Sequence, residues 1–195
     1  VREYIKENIG EEYLIPLIAV YDRFEDIRFE QLPDKFVIKC NHDSGSCIVC
    51  KDKKTLDIEA ARNKINEHLK KNYYYMWREW PYKHVQPKIL IEEYNDGFEF
   101  NMMTWVVDGT VKVISIADRE KTQFEIGALP ESTRNVYPSR LLNEVEGPAT
   151  ALLQSYIAYT GQKEGPLSMQ FFWKPGEGIQ VCEIAARFFG YEHEL

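Results

Sequence analysis

Lys39 could bind phosphate, because of its charge and its position in the sequence. It lies near the end of the apolar run Phe36–Cys40 and just before a turn of small polar residues. A lysine beside such a turn offers a point charge and a ring of backbone N–H donors, here those of Ser44, Gly45 and Ser46. Together these groups suit a phosphate. The alternative is a strand lysine that extends to solvent before an ordinary hairpin.

Gln170 and Glu183 could bind a divalent cation. They lie on the two strands of a predicted hairpin, 167–185. Because side chains alternate between the faces of a strand, Gln170 and Phe172 share one face, and Glu183 and Arg187 share a face of the partner strand. If the two faces coincide, oxygen atoms of Gln170 and Glu183 lie side by side, as a hard cation such as Mg²⁺ requires. The alternative is an exposed salt bridge between Glu183 and Arg187.

A third group of polar residues could meet the base and the ribose of a nucleotide. The predicted strand 88–94 ends at Asn95 and is followed by Gly97 and Glu99. A connection of this kind can present backbone N–H and C=O groups to a flat base and a carboxylate to a ribose hydroxyl. Solvated carboxylates at a polar strand end are the alternative.

Cys40, Cys47, Cys50 and His42 are close enough in the sequence to suggest a zinc site. In a strand, however, Cys47 and Cys50 point to opposite faces. We therefore prefer reduced thiols packed in a strand pair over a structural zinc ion.

The elements that must position these residues are predicted from hydrophobic periodicity and from turn residues. Helices are predicted over 1–9, 57–71 and 139–160, the last divided at Gly147-Pro148. Strands are predicted over 14–21, 36–40, 46–50, 88–94, 98–107, 110–117, 167–173 and 178–185, and a loop over 118–137. The sum is an α+β fold with a lead-in helix at 1–10, a smaller lobe at 11–87 and a larger lobe at 88–195.

Composition and charge exclude several classes of protein. The 195 residues include 24 Lys and Arg against 31 Asp and Glu, a formal net charge of −7, and 44% hydrophobic residues. A chain this apolar can bury a substantial core. No apolar run reaches the roughly 18 residues of a membrane span, and the acidic balance argues against nucleic acid as a partner. The N-terminal residues do not resemble a signal peptide, so the cytoplasm is the expected location.

Taken together and in this order, the strand lysine with its small-residue turn, the acidic strand end and the Gln–Glu–Arg hairpin resemble the ATP-grasp superfamily. Residues 1–5, 32–42 and 73–82 are similar to teichuronopeptide-biosynthesis-type ATP-grasp proteins. Residues 169–172 and 181–187 are similar to carbamoyl phosphate synthetase and biotin carboxylase. The chain is thus either a divergent natural member or a recombination of two branches. The resemblance implies the ATP-grasp fold, in which two α+β lobes hold a nucleotide in a cleft between two antiparallel sheets.

The resemblance implies roles on the phosphate side of the nucleotide. Lys39 is expected to hold the α- and β-phosphates. Ser44, Gly45 and Ser46 are expected to form a mobile flap over them. Arg187 is expected to act in catalysis, because it would stabilise charge on the transferring γ-phosphoryl group.

The resemblance also implies an adenosine site and a metal site. Glu93 and Asn95 are expected to meet the adenine edge, and Glu92 and Tyr94 are expected to shape the slot around it. Glu99 is expected to bind the ribose, and Phe172 is expected to pack against the adenine face. Gln170 and Glu183 are expected to hold Mg²⁺, or Mn²⁺ instead, where it bridges the phosphates.

The implied activity is that of an ATP- and Mg²⁺-dependent carboxylate–amine ligase core, which activates a carboxylate as an acyl phosphate. The implied partners are ATP and either a small carboxylate or a glycopolymer-linked substrate, and the sequence makes no prediction of oligomeric state. The alternative is a non-catalytic, engineered or truncated ATP-grasp nucleotide-binding domain, because Ala185 stands where the family usually has Asn.

Overall fold

The computed structural model describes residues 2–43, 45–77, 82–121 and 132–188. The helices in these ranges are α1 (Arg2–Asn8), α2 (Ile58–Leu69), α3 (Tyr73–Trp77) and α4 (Leu142–Thr160). The strands are β1 (Leu17–Tyr21), β2 (Phe36–Cys40), β3 (Ile48–Cys50), β4 (Ile89–Glu93), β5 (Phe98–Val107), β6 (Thr110–Lys121), β7 (Ser132–Val136), β8 (Gly165–Lys174) and β9 (Gly178–Ala185). None of the helices in this described part has the length and apolar character that a membrane span requires.

The strands form two antiparallel sheets, each in a compact unit of its own. Counting described residues only, the four-stranded unit consists of residues 16–43, 45–77 and 82–94, and the five-stranded unit consists of residues 2–15, 95–121 and 132–188. The α+β class and the two antiparallel sheets expected from the sequence are confirmed.

The four-stranded unit is built on the alternating side chains of β2 and β4. Its strand order is β1-β4-β2-β3, and each pairing is antiparallel. Phe36, Ile38, Ile89 and Ile91 are fully buried in a core to which α2 also contributes. Helix α2 begins after Asp57, whose carboxylate accepts a hydrogen bond from the first helical turn at 2.9 Å. Residues that alternate with this core lie on the other face of the sheet.

The five-stranded unit packs one face of its sheet on α4. Its strand order is β7-β6-β5-β8-β9. Phe100 of β5 and Phe171 of β8 stack in this core, with ring centroids 5.2 Å apart. Helix α4 buries an apolar stripe at helical spacing, namely Val145, Ala149, Leu152, Leu153 and Ile157. The polar residues that alternate with Phe100 and Phe171 therefore lie on the opposite face.

The boundary between the units differs from the predicted lobes. Strand β4 pairs with β1 and β2, so the boundary lies between residues 94 and 95 rather than between 87 and 88. The N-terminal segment up to residue 15 belongs to the five-stranded unit. It is held there because Leu14 forms a β-bridge with Val181, and because Ile9 and Tyr13 pack against the core of that unit.

Two other predictions for the second half are wrong. The predicted loop 118–137 contains the end of β6 and all of β7, which pairs antiparallel with β6. Helix α4 is not divided at Gly147-Pro148 but is continuous through it. Pro148 is tolerated because Val145 and Ala149, on either side of it, are fully buried against the sheet, and this packing outweighs the lost backbone hydrogen bond.

Candidate functional site

Lys39 and Glu92 form an ion pair on the face of the four-stranded sheet opposite its core. Val37 of β2 pairs with Glu92 of β4, and Lys39 pairs with Leu90, so the two charged residues are diagonal neighbours. Lys39 Nζ lies 2.6 Å from Glu92 Oε2. The side chain of Glu92 is 5% exposed and that of Lys39 is 32% exposed. The ammonium group thus stabilises a buried carboxylate, and the lysine side chain is still partly exposed to solvent.

The turn after Lys39 holds Ser46 in place. Ser46 is 1% exposed. Its hydroxyl accepts a hydrogen bond from the backbone N–H of Cys40 at 2.7 Å and donates one to Asp43 Oδ1 at 2.5 Å. Gly45 is half-buried, and Ser44 lies outside the described residues. Of the three residues expected to form a flap, Ser46 therefore has its hydroxyl engaged inside the turn.

The chain passes from one unit to the other between Tyr94 and Asn95. Glu93 donates its backbone N–H to the carbonyl of Pro16 at 3.0 Å, and its side chain is exposed. Tyr94 is half-buried. Asn95 Nδ2 donates a hydrogen bond to Gln180 Oε1 at 2.5 Å. Glu93 and Asn95, which are expected to meet the adenine edge together, are therefore anchored in different units.

Gln170 and Glu183 are brought together by a β-bulge in the β8–β9 hairpin. Phe171 pairs with Val181, and one step along β8 Gln170 pairs with Glu183, so Cys182 is an extra residue in β9. The two side chains thus lie side by side, away from the α4 core. The coincidence of faces that the sequence interpretation requires is present in the register.

Glu99 lies at the centre of a hydrogen-bonded group on three strands. Its side chain is 6% exposed. Gln170 Nε2 donates a hydrogen bond to Glu99 Oε1 at 2.6 Å, and Arg119 Nη1 lies 3.0 Å from the same oxygen. A buried carboxylate is stable only with such donors. The structure thus joins the expected ribose ligand to an expected metal ligand and adds an arginine.

The sequence interpretation did not assign Arg119 to the site, because it treated this residue as an exposed charge in a loop. Arg119 lies in β6 with its side chain 15% exposed, and it pairs in register with Asn135 of β7. Asn101 of β5 is buried on the same face, and its Nδ2 lies 3.5 Å from Asn135 Oδ1. A signal was available in the strand length. Strand β5 spans ten residues, so its hairpin partner β6 should be of similar length and include Arg119.

Arg187 and Glu183 form the salt bridge that the sequence offered as the alternative. Arg187 Nη2 lies 3.1 Å from Glu183 Oε1, with side chains 55% and 44% exposed. An exposed pair of this kind contributes little stability, and both groups remain accessible to a ligand. Ser168 Oγ donates a hydrogen bond to the carbonyl of Arg187 at 2.7 Å and so holds the chain after β9 beside β8. Phe172, half-buried, lies opposite Glu99 in the register.

Gln170 and Glu183 offer oxygen atoms, the ligands that Mg²⁺ prefers, but they are only two ligands. Among the described residues, no group of three or more His, Cys, Asp or Glu side chains is placed to hold a metal ion. Mg²⁺ is commonly held by one or two carboxylates together with substrate phosphates and water. The pair therefore fits an ion that arrives with a nucleotide better than a resident ion.

The four cysteines form no disulfide bond. Cys40 of β2 and Cys50 of β3 are buried in the core of the four-stranded unit, as expected for thiols packed in a strand pair. Burial raises the pKa of the Cys40 thiol to about 11, and it also raises the pKa of Cys50. A high pKa keeps a thiol protonated and unreactive at neutral pH.

A family model described as TupA-like ATP-grasp matches residues 1–145 of this chain. The chain belongs to this family. The match covers the whole four-stranded unit, the β5–β6 hairpin and the start of α4, and the resemblance seen in the sequence is confirmed. A comparison of the TupA-like ATP-grasp chain with curated protein sequences finds no match.

Solved structures are similar to this TupA-like ATP-grasp chain over almost its whole length. L-amino acid ligase from Bacillus licheniformis has a TM-score of 0.68 and 20% identity, over 97% of this chain and 43% of that one. The ADP complex of N5-carboxyaminoimidazole ribonucleotide synthetase has a TM-score of 0.66 and 17% identity, over 98% and 46%. The biotin carboxylase–β,γ-ATP complex from Campylobacter jejuni has a TM-score of 0.64 and 13% identity, over 98% and 41%. The chain spans less than half the length of these proteins, and the similarity shows that its fold is the ATP-grasp fold.

Proposed function

We propose that this chain is the core of an ATP- and Mg²⁺-dependent carboxylate–amine ligase, which activates a carboxylate as an acyl phosphate. The observation that supports the proposal most is the pairing of Gln170 with Glu183 across the bulged hairpin. It sets two hard oxygen donors beside Glu99 and Arg119. Phosphoryl transfer depends mainly on positioning and on neutralising phosphate charge, and oxygen donors grouped with a cation meet that need.

Lys39 is the residue that we propose for the α- and β-phosphates. Its ammonium group has three donors, and the contact with Glu92 at 2.6 Å fixes where the group lies. Because Lys39 is one-third exposed, its head can also meet phosphate oxygens from solvent. The backbone N–H groups of Ser44, Gly45 and Ser46 follow in the chain and add neutral donors.

Glu99 is the residue that we propose for a ribose hydroxyl. Gln170 and Arg119 hold its carboxylate in place before any ligand arrives, which lowers the entropy lost on binding. Phe172 lies opposite Glu99 and would give the adenine an apolar surface. The remaining adenosine contacts are assigned to the chain around the unit boundary, namely Glu92, Glu93, Tyr94 and Asn95.

Arg187 is the residue that we propose for the γ-phosphoryl group. Bound through oxygens of Gln170 and Glu183, Mg²⁺ would neutralise phosphate charge. Arg187, already 3.1 Å from Glu183, would stabilise the charge that develops as a substrate carboxylate attacks the γ-phosphorus and ADP leaves. An amine then attacks the acyl carbon of the acyl phosphate and displaces phosphate. The names of the solved relatives, an L-amino acid ligase and complexes with ADP and β,γ-ATP, support ATP and this reaction class.

The carboxylate that we propose is either a small molecule or one carried by a glycopolymer. A second candidate function is nucleotide binding without catalysis, and the environment of Ala185 favours it. Ala185 lies directly opposite Ser168, and its methyl group offers no oxygen to a metal or phosphate. The hydroxyl of Ser168 donates to the carbonyl of Arg187, so it already serves the backbone.

The test is ADP release with a panel of carboxylates and amines, together with hydroxylamine to trap an acyl phosphate as a hydroxamate. We expect Mg²⁺-dependent ADP release that requires a carboxylate, and loss of release in Glu183→Gln but not in Glu177→Gln. Glu177 is the matched control because it is an exposed glutamate of the same hairpin, 3.4 Å from Lys174. ATP binding without ADP release for every carboxylate would support the second candidate. Absence of ATP binding would contradict both.

A further inference from the structure

The turn between β2 and β3 is held by its own side chains. Asn41 exchanges backbone and side-chain hydrogen bonds with Lys88: its N–H donates to the Lys88 carbonyl at 3.1 Å, and its Oδ1 accepts from the Lys88 N–H at 2.8 Å. Its Nδ2 also donates to the carbonyl of Gln86 at 3.0 Å. The first residue of the turn is thus fixed to the segment that precedes β4.

His42 fixes the second position of the turn to the end of helix α2. The residue is 1% exposed. Its Nε2 lies 3.2 Å from the carbonyl oxygen of His68 and 3.1 Å from that of Lys71. Because both partners are acceptors, Nε2 must carry the proton. A donor at this place is favourable, since the C-terminus of a helix presents carbonyl groups and partial negative charge.

Asp43 joins the turn to α2 by its side chain. Its carboxylate has no exposed surface. One oxygen accepts the hydroxyl hydrogen of Ser46 at 2.5 Å, and the other contacts Nδ1 of His68. Ser46 in turn accepts from the backbone of Cys40, the residue next to Lys39. A continuous chain of hydrogen bonds therefore runs from β2 through the turn to α2.

The order of these groups excludes nucleophilic catalysis by Ser46. In a Ser–His–Asp arrangement the imidazole lies between the hydroxyl and the carboxylate and removes the proton. Here the carboxylate of Asp43 lies between Ser46 and His68. The group can hold the turn in one conformation, but it cannot activate the serine.

We infer that Asp43 is a positioning residue, which with His68 and Ser46 holds the backbone N–H groups of Gly45 and Ser46 ready for the phosphates of a nucleotide. The inference rests on the proposed function, in which Lys39 and the turn bind phosphate. A turn fixed in advance loses less entropy on binding, so its contribution appears in affinity. The contribution is confined to ligands that carry phosphate, because the residues proposed for adenosine do not belong to the turn.

The experiment compares the dissociation constants of Mg-ATP and adenosine for the wild type and Asp43→Asn by calorimetry. We expect Asp43→Asn to weaken Mg-ATP binding about tenfold, because the variant must order groups of the turn when the ligand binds, and to leave adenosine affinity unchanged. His68→Ala should repeat this selective loss. His68→Asn, which keeps a side-chain N–H near the position of Nδ1, should restore most of the affinity. Far-UV circular dichroism and thermal melting establish that each variant is folded.

Asp57→Ala is the matched control, since Asp57 caps the opposite end of α2 and does not contact the turn. It should lower thermal stability without changing the ratio of the two affinities. The inference is overturned if Asp43→Asn and His68→Ala leave Mg-ATP affinity unchanged while the wild type binds it. It is also overturned if they weaken adenosine equally, or if Asp57→Ala gives the same selective loss. A wild type that binds no Mg-ATP overturns the proposed function and this inference with it.

Discussion

Gln170 lies directly opposite Glu183 in the β8–β9 hairpin, and this pairing depends on one extra residue in β9, Cys182. From the turn to Phe171, which pairs with Val181, the register is regular. If it continued unchanged, Gln170 would face Cys182, and Glu183 would face Met169, which is buried in the α4 core. The bulge at Cys182 thus keeps a carboxylate out of an apolar core and sets it beside an amide oxygen.

The pairing predicts that Glu183 sets the Mg²⁺ dependence of nucleotide binding. Glu183→Gln keeps the shape of the side chain but removes its charge, so ATP affinity in Mg²⁺ should fall about tenfold or more. Affinity measured in EDTA should be nearly the same for both proteins. Titration calorimetry in the two buffers measures the difference, with Glu177→Gln as control. Equal Mg²⁺ dependence in wild type and Glu183→Gln would remove Glu183 from the metal site.

The Lys39–Glu92 pair predicts a coupled effect on stability. Lys39→Met takes the cation from a carboxylate that is 5% exposed. It should therefore lower the free energy of unfolding by about 2 kcal/mol at neutral pH, which is less than for a fully buried pair because Lys39 is one-third exposed. The double variant Lys39→Met/Glu92→Gln should recover most of that loss, because no buried charge remains. Urea denaturation of the wild type, both single variants and the double variant gives the coupling energy. Additive losses would show that the two side chains do not interact.

The raised pKa of the buried Cys40 thiol predicts a loss of stability at alkaline pH. Burial raises the pKa of its thiol from an ordinary 9.0 to about 11 in the folded protein. Between these values the unfolded chain has released the proton and the folded chain still holds it, so stability is full below pH 9 and declines as the pH rises toward 11. The decline from this group amounts to about 2 kcal/mol. Denaturant titrations from pH 8 to pH 10.5 should show a smaller slope for Cys40→Ala than for the wild type. Identical slopes would mean that the thiol of Cys40 ionises freely in the folded state.

The glycine that follows α4 predicts a loss of stability on substitution. Gly161 caps the C-terminus of the helix at φ 72°, where L side chains are strained. Gly161→Ala should therefore lower the free energy of unfolding by about 1 kcal/mol. Thermal or urea unfolding of the variant tests this prediction, and an unchanged or higher free energy of unfolding would contradict it.

Local patterns sufficed to predict much of the fold. Strand β2 alternates buried and half-buried side chains. The β5–β6 hairpin has its turn at Asp108-Gly109, with φ of 49° and 71°, which the residue types favour. The likeness of Lys39, Glu99, Gln170, Glu183 and Arg187 to ATP-grasp residues was visible for the same reason, since each motif is short and continuous in the sequence.

Features that depend on distant residues were not predictable in this way. The sheet to which β4 belongs is decided by its pairing with β1 and β2, and its own residues fit either unit. The contacts of Lys39 with Glu92 and of Arg119 with Glu99 join segments far apart in the chain. The buried group around Asp43 depends on His68, which the sequence alone did not distinguish from a surface histidine. Such contacts follow from tertiary packing, which periodicity and propensity do not encode.

Titration of the chain with ATP in the presence of Mg²⁺, for the wild type and Lys39→Met, tests the central claim most directly. The claim is that this TupA-like ATP-grasp chain binds the nucleotide phosphates through Lys39. We predict saturable binding to the wild type, and an affinity about tenfold or more lower in Lys39→Met, since a charged contact to phosphate is lost. Absence of binding at millimolar ATP, or equal affinity in the two proteins, would contradict the account.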